Sequence, residues 1–162
     1  MSDRTFDSRI VEFCERLAGL DAGERARLRR NAGKSLNESR NALPVFYRLL
    51  PPGVSDRHED VYFLVATLHS FTTAGGSGDL GSALLRARTP QNGRGLDRRV
   101  QVLLDADLDQ LPFRLRQAVQ FLRSTRVAVH WPMLLTDLLN WTHPDRFVQK
   151  RWARSYFTGT TP

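Results

Sequence analysis

Apolar residues recur along this chain at three- and four-residue spacings, and no segment sustains a two-residue alternation. That pattern predicts helices throughout. Phe6, Ile10, Phe13, Cys14 and Leu17 mark the first, which ends at Gly19. Asp21 opens a second, with Glu24 three residues on as a capping box. The second helix is cationic (Arg25, Arg27, Arg29, Arg30) and closes at Gly33. A polar, irregular stretch over 34–42 follows. Pro44 then starts a short apolar helix, stopped by Pro51-Pro52-Gly53. Asp56, with Glu59 behind it, is expected to cap a helix carrying Val61, Phe63, Leu64, Val65, Leu68 and Phe71. This helix is hydrophobic nearly all round, so it is expected at the centre of the N-terminal core.

The run TTAGGSGD at 72–79 and the cluster TPQNGRG at 89–95 break helices. A short helix over 80–88 lies between them. The stretch 96–123 organises the rest. It reads as two helices about an acidic turn, Asp105–Asp109. In the second of these, Leu111, Leu115, Ala118, Val119 and Leu122 form an apolar stripe. Arg116, Gln120 and Arg123 run beside it. In the first, Val100, Leu103 and Leu104 stand against Arg98 and Arg99. After a connector, Trp131-Pro132 begins a helix with Met133, Leu134, Leu135, Leu138, Leu139 and Trp141. His143-Pro144-Asp145 breaks it and starts a last helix. There Phe147, Val148 and Trp152 are expected to face the core, and Arg146, Lys150 and Arg154 form a cationic row at spacings of four. Like charges at that spacing repel by about 0.2–0.5 kcal/mol per pair, so such a row suggests an anionic partner.

The predicted class is therefore all-α, a compact bundle of about eight or nine helices. A single domain over 5–158 is expected. Its sub-lobes, roughly 5–72 and 96–158, would be joined by a Gly/Ser-rich connection over 73–95, part of it mobile. The length of 162 residues suits one domain of this kind. The three tryptophans, Trp131, Trp141 and Trp152, sit among Leu and Val at helical spacing and are read as core.

Charge changes the picture from fold to partner. The net charge is +7, and 22 of the 24 cations are arginine. It is unevenly spread: residues 111–162 hold eight cations against two acids, and residues 1–110 hold 16 against 15. Arginine presents a planar fork of donors suited to phosphate, and a basic third of this kind points to a polyanion. Catalytic chemistry finds no support. His58, His69, His130 and His143 lie in no zinc motif. There is no phosphate-binding glycine loop and no nucleophile elbow. Asp105, Asp107 and Asp109 lack the glycine and terminal glutamate of a calcium loop, and are read as caps for the following helix. Cys14 is the sole cysteine and falls on the apolar side of its helix, so it is read as a small buried hydrophobe. No apolar run approaches membrane-spanning length and the first residues lack a signal-peptide core, so the expected compartment is cytoplasmic. No cofactor, no metal, no membrane partner and no small-molecule substrate are expected.

Four ordered pieces carry a resemblance. They are DRR-x-x-x-LL-x-AD from Asp97, LP-x-RLRQAV-x-x-L from Leu111, V-x-WP-x-LL-x-DLL-x-W from Val129, and VQ-x-RWAR-x-Y from Val148. Looser pieces lie at Leu28-Arg29-Arg30 and at PVFYRL from Pro44. Together they resemble the CasB family, the small subunit of the type I-E CRISPR surveillance complex (Cascade). The resemblance implies a non-enzymatic helical subunit, present in two copies, that contacts the guide RNA–target region and the displaced DNA strand and stabilises the R-loop. Its implied partners are guide RNA, target DNA, other Cascade subunits and a second copy of the chain. By motif position, the implied phosphate contacts are Arg29, Arg30, Arg98, Arg99 and Arg116. Arg123, Lys150 and Arg154 rest on the stripe argument alone. Some arginines of RLRQ would instead pair with Asp137 or Asp145 as structural links. The alternative reading is a protein–protein scaffold whose arginine rows meet acidic partner surfaces. An enzyme acting on nucleic acid would need a metal or carboxylate cluster that the sequence does not display.

Overall fold

In the computed structural model, residues 5–72 and 74–159 are described. They form nine α-helices, with no strand among them, so the chain is all-α. The first helix, α1 (Ser8–Ala18), starts where the Asp7 carboxylate accepts the Arg9 amide at 2.9 Å, and it buries Ile10, Phe13, Cys14 and Leu17. The second, α2 (Ala22–Arg29), starts where Asp21 accepts the Glu24 amide at 2.8 Å. The Glu24 carboxylate does not return to complete the box; it pairs with Arg48 instead. Beyond α2 the chain turns at Gly33, whose φ of +88° favours glycine. The irregular stretch that follows contains two single 3-10 turns, Leu36–Glu38 and Arg40–Ala42.

Next come α3 (Leu43–Leu49) and α4 (Asp56–Leu68). The expected Asp56 cap is corrected: Ser55 holds the cap position with no side-chain bond, and Asp56 is already in the first turn. There, with Glu59, it still favours the positive end of the helix dipole. Tyr62 to Leu68 are buried without interruption, as an all-round apolar helix requires. A 3-10 turn, His69–Phe71, ends this helix.

The remaining helices are α5 (Leu80–Arg86), α6 (Gly93–Leu104), α7 (Leu111–Ser124), α8 (Trp131–Leu139) and α9 (Phe147–Thr158). A reciprocal pair of hydrogen bonds precedes α7. Asp107 accepts the Gln110 amide at 2.9 Å, and the Gln110 side chain accepts the Asp107 amide at 3.2 Å. The expected cap by the acidic turn is thereby corrected: this pair closes the turn before α7, and Gln110 holds the cap position of α7 with no side-chain bond to the helix. His130 caps α8 through its ring nitrogen, which accepts the Met133 amide at 3.1 Å.

One cluster of buried residues runs from Ile10 to Tyr156. The helices α1 and α4 both pack on α8, and α5 packs along α9. The α5–α9 approach is backbone-close: a Cβ on Gly81 would stand 2.3 Å from the Trp152 carbonyl oxygen. The Gly/Ser run before α5 is also held. The Gly76 amide donates to the Val129 carbonyl at 3.3 Å, and a Cβ at Gly76 would meet the Ala128 oxygen at 2.4 Å. Trp131, Trp141 and Trp152 are each at most 3% exposed, which settles them as core.

Candidate nucleic-acid interface

The helix α7 buries Leu111, Leu115, Val119 and Leu122, which leaves two flanks. One carries Arg116, Gln120 and Arg123, and the other Arg114, Gln117 and Phe121. The structure sends these flanks to different neighbours. Arg116 turns towards the end of α2, where its Nη1 donates to the Ala32 carbonyl at 3.3 Å and lies beside Gly33. Its Nε is buried with no partner among the described residues. Arg116 thus joins the turn immediately after Arg29 and Arg30, although more than 80 residues separate them. Arg29, Arg30 and Arg123 are exposed.

Arg99 lies against the opposite flank, one position after Arg98 on α6. Both are exposed, and the Arg99 guanidinium sits 5.1 Å from the centre of the Phe121 ring. Asp97 belongs to the fold. Arg88 grips it through two bonds of 2.9 and 3.0 Å, and the Tyr156 hydroxyl donates to it at 2.5 Å. These donors hold the Asp97 carboxyl down at about 2. Arg99, Arg114 and Gln117 line a shallow apolar groove between α6 and α7 floored by Leu84, Leu96 and Val100. The eight candidate cations therefore form no single row. Arg116 brings the α2 end to one flank of α7, and Arg99 approaches the other.

The last two candidates, Lys150 and Arg154, stand exposed on α9, opposite its buried face of Val148, Gln149, Trp152, Ser155 and Tyr156. Two expectations are corrected here. Arg146 is not in the row: it precedes the helix with φ +52°, and its Nη2 donates to the Leu104 carbonyl at 2.7 Å. Phe147 is not core: it is 40% exposed and packs edge-on against His143. With Phe157, 48% exposed, it flanks Lys150 and Arg154 on the outer face. The spacing 147, 150, 154, 157 carries that signal, and residue type alone points Phe147 to the core.

Sequence reasoning also missed where the acids go. Asp137 pairs with Arg151 of α9, which also lies 3.5 Å from Asp79, and the RLRQ arginines do not reach it. Burial pushes the Asp137 carboxyl up, against the opposing pull of Arg151 and the Trp152 indole N–H. Cys14 is buried and its thiol is pushed up to about 12, which keeps it protonated and unreactive. Among the described residues no group of three or more His, Cys, Asp or Glu side chains is placed to hold a metal ion. No helix among them is long and apolar enough to cross a membrane.

Comparison with known proteins gives a consistent outcome. The family model of CRISPR-associated protein Cse2 matches residues 24–157. A CRISPR-associated protein Cse2 of Thermus thermophilus is 34% identical over 154 residues, which cover 92% of this chain and 88% of that protein. The crystal structure of M. ruber CasB superposes with a TM-score of 0.78 at 29% identity, covering 94% of both chains. A chain of a CRISPR RNA-guided surveillance complex shares the fold at 24% identity, with a TM-score of 0.77 over 92% of this chain and 94% of that one. The chain belongs to the CRISPR-associated Cse2 family, that of the CasB proteins.

Proposed function

We propose that this protein is a non-catalytic subunit of a type I-E CRISPR interference complex that holds nucleic-acid backbone through exposed arginines and stabilises the R-loop. One observation carries the reading. Arg29, Arg30, Arg98, Arg99, Arg123, Lys150 and Arg154 are all exposed, and none has an ion-pair partner among the described residues. The fold does pair Arg9, Arg16, Arg48, Arg88 and Arg151 with acids. The cations left over are thus available to an external polyanion. Membership in the Cse2 family and the shared fold with a chain of an RNA-guided surveillance complex support the same assignment.

The physics of the task suits this arrangement. Replacing a DNA duplex by an RNA–DNA hybrid is a nearly balanced exchange, so backbone contacts that favour the opened state tip it. Such contacts need no sequence information and act by releasing counterions. Cations on both flanks of α7 and on the outer face of α9 suit contact with more than one strand. Guide RNA and target DNA are the nucleic-acid partners in this reading, alongside other subunits of the complex and a second copy of this chain.

A second reading has one observation in its favour. The outer face of α9 mixes Phe147 and Phe157 with Lys150 and Arg154, a composition suited to an acidic protein surface as well as to phosphate. Reconstitution separates the two. The RNA-guided complex is prepared without this subunit and supplemented with wild type or with an Arg98→Ala/Arg99→Ala/Arg123→Ala variant, and target-DNA affinity is measured across a salt series. The nucleic-acid reading expects the variant to co-elute with the complex yet bind target more weakly, with a slope shallower by about 0.9 per lost phosphate contact. Equal restoration by both proteins would move the protein–protein reading ahead.

A further inference from the structure

Where α1 hands over to α2, a cleft opens beneath the 3-10 turn that ends α4. Ala18 and Ala22 form its apolar edge, Arg25 and Arg29 stand on one side, and His69 and Ser70 on the other. It holds roughly 410 Å³ of open room, within the range of about 300–1,000 Å³ usual for ligand sites. No carboxylate is among the described residues that line it. Two arginines one helical turn apart, with no acid between them, repel mildly unless an anion is shared.

The cationic side is preorganised. Nη2 of Arg25 donates to the Ala18 carbonyl at 2.6 Å, at the end of α1. That bond uses one of five guanidinium N–H groups and fixes the direction of the rest. The Arg29 side chain makes no hydrogen bond or ion pair among the described residues and is exposed at the mouth. The opposite wall is rigid: the His69 ring packs 5.1 Å from the Trp131 ring, and Trp131 is 1% exposed. Burial and the neighbouring Arg25 push His69 down to about 4, so at neutral pH the ring adds no charge and keeps one N–H donor. The Ser70 hydroxyl is shut away from solvent and has no hydrogen-bond partner among the described residues. A buried hydroxyl left in that condition is unfavourable and calls for a partner. A fork of fixed N–H donors, a second free guanidinium, an unmatched hydroxyl and no acid match the oxygens of a phosphodiester.

We propose that this cleft is a phosphodiester subsite. It holds one backbone phosphate of the bound strand between Arg25 and Arg29, and the Ser70 hydroxyl, turned away from the cleft's open room as it stands, donates to it after rotating about its Cα–Cβ bond. The proposal rests on the nucleic-acid reading above and adds Arg25 and Ser70, which no motif singled out. It assigns a point on the N-terminal side of the bundle through which the strand passes.

The test uses the complete RNA-guided complex, reconstituted with wild type, Arg25→Gln, Arg29→Gln or Ser70→Ala, each checked for co-elution and for an unchanged melting temperature. Arg29→Gln removes no contact within the fold, so it stays informative if Arg25→Gln loosens the α1–α2 corner. The expected result is a target affinity about tenfold lower for each arginine variant, with a salt slope shallower by about one. Ser70→Ala lowers affinity and leaves the slope unchanged. Photo-crosslinking nucleotides placed in the guide RNA or in either DNA strand identify the source of the phosphate by which strand attaches to residues 18–29 or 69–72. Wild-type affinity and slope in both arginine variants, with the Arg98/Arg99/Arg123 triple variant still impaired, would overturn the cleft and leave the functional reading standing. No gain in target affinity on adding the wild-type subunit would overturn both.

Discussion

The guanidinium of Arg151 on α9 meets the carboxylate of Asp137 on α8 beneath the surface of the bundle, where Asp137 is only 2% exposed. The pair is the centre of a larger network. The Trp152 indole donates to the other Asp137 oxygen at 2.8 Å. Asp79 lies 3.5 Å from Arg151 and accepts from the Ser155 hydroxyl at 2.8 Å and from the Ser82 amide at 2.9 Å. One arginine thereby ties α8, α9 and the start of α5 together. Removing one partner of a buried pair leaves an uncompensated charge. Arg151→Leu is expected to lose about 3–5 kcal/mol of stability at pH 7. The Asp137 carboxyl already lies above its ordinary range and would rise further without Arg151. A carboxyl raised in the folded state favours folding at low pH and loses that contribution as pH rises. The deficit of Arg151→Leu relative to wild type should therefore shrink from pH 7 towards pH 4.5 in urea titrations. A deficit independent of pH would mean that the carboxylates do not carry it.

Gly81 and Gly95 should respond oppositely to the same substitution. A Cβ at Gly81 would stand 2.3 Å from the Trp152 oxygen and 3.0 Å from its carbonyl carbon, both backbone atoms that cannot step aside. Gly81→Ala is expected to push α5 off α9 and to cost at least about 1–3 kcal/mol. Gly95 lies inside α6, and a methyl placed there would meet nothing within 4 Å. Gly95→Ala should stabilise by about 0.5–1 kcal/mol. Melting temperatures of the two variants decide the point.

His69 makes stability depend on mild acid. Burial and Arg25 depress it from 6.5 to about 4, so between those values the unfolded chain binds a proton that the folded protein does not. The stabilisation from keeping His69 neutral is present above pH 6.5 and is lost as pH falls towards 4. Its limit is about 3 kcal/mol. Urea midpoints between pH 7.5 and 4.5 should fall for wild type and fall less for His69→Phe, which keeps an aromatic ring against Trp131. Parallel curves would remove His69 as the cause.

Arg116 and Arg123 share a flank of α7 but differ in what holds them. Arg116 is half-buried and donates to the Ala32 carbonyl, whereas Arg123 is exposed and has no ion-pair partner among the described residues. Arg116→Ala should cost about 1–3 kcal/mol, and Arg123→Ala should stay within about 0.5 kcal/mol of wild type. Chemical denaturation of the isolated proteins measures both without nucleic acid. A neutral Arg116→Ala would show that its contact with the α2 end is incidental.

Most of the secondary structure was legible because the apolar spacing, the prolines at helix starts and the glycine breaks all agree. Periodicity located most of the apolar face of each long helix. It failed at Phe147, where residue type and position on the helix disagree. The end of a row can also leave the helix altogether, as Arg146 does.

By itself, the amino-acid sequence determined that this protein is all-α, roughly where its helices lie, that its tryptophans are core and that its last third is basic, because each is a local property of spacing or composition. Helix ends were less legible, since the expected break over 89–95 gives way to α6 already at Gly93. Which arginines are free is not local. Arg116 and Arg151 look like Arg123 and Arg154 in the sequence, yet Ala32 lies 84 positions from Arg116, and Asp79 lies 72 positions from Arg151. Only the packing of α7 on the end of α2, and of α9 on α5 and α8, decided that Arg151 is committed to the fold, that Arg116 is partly so, and that the others remain available to a partner.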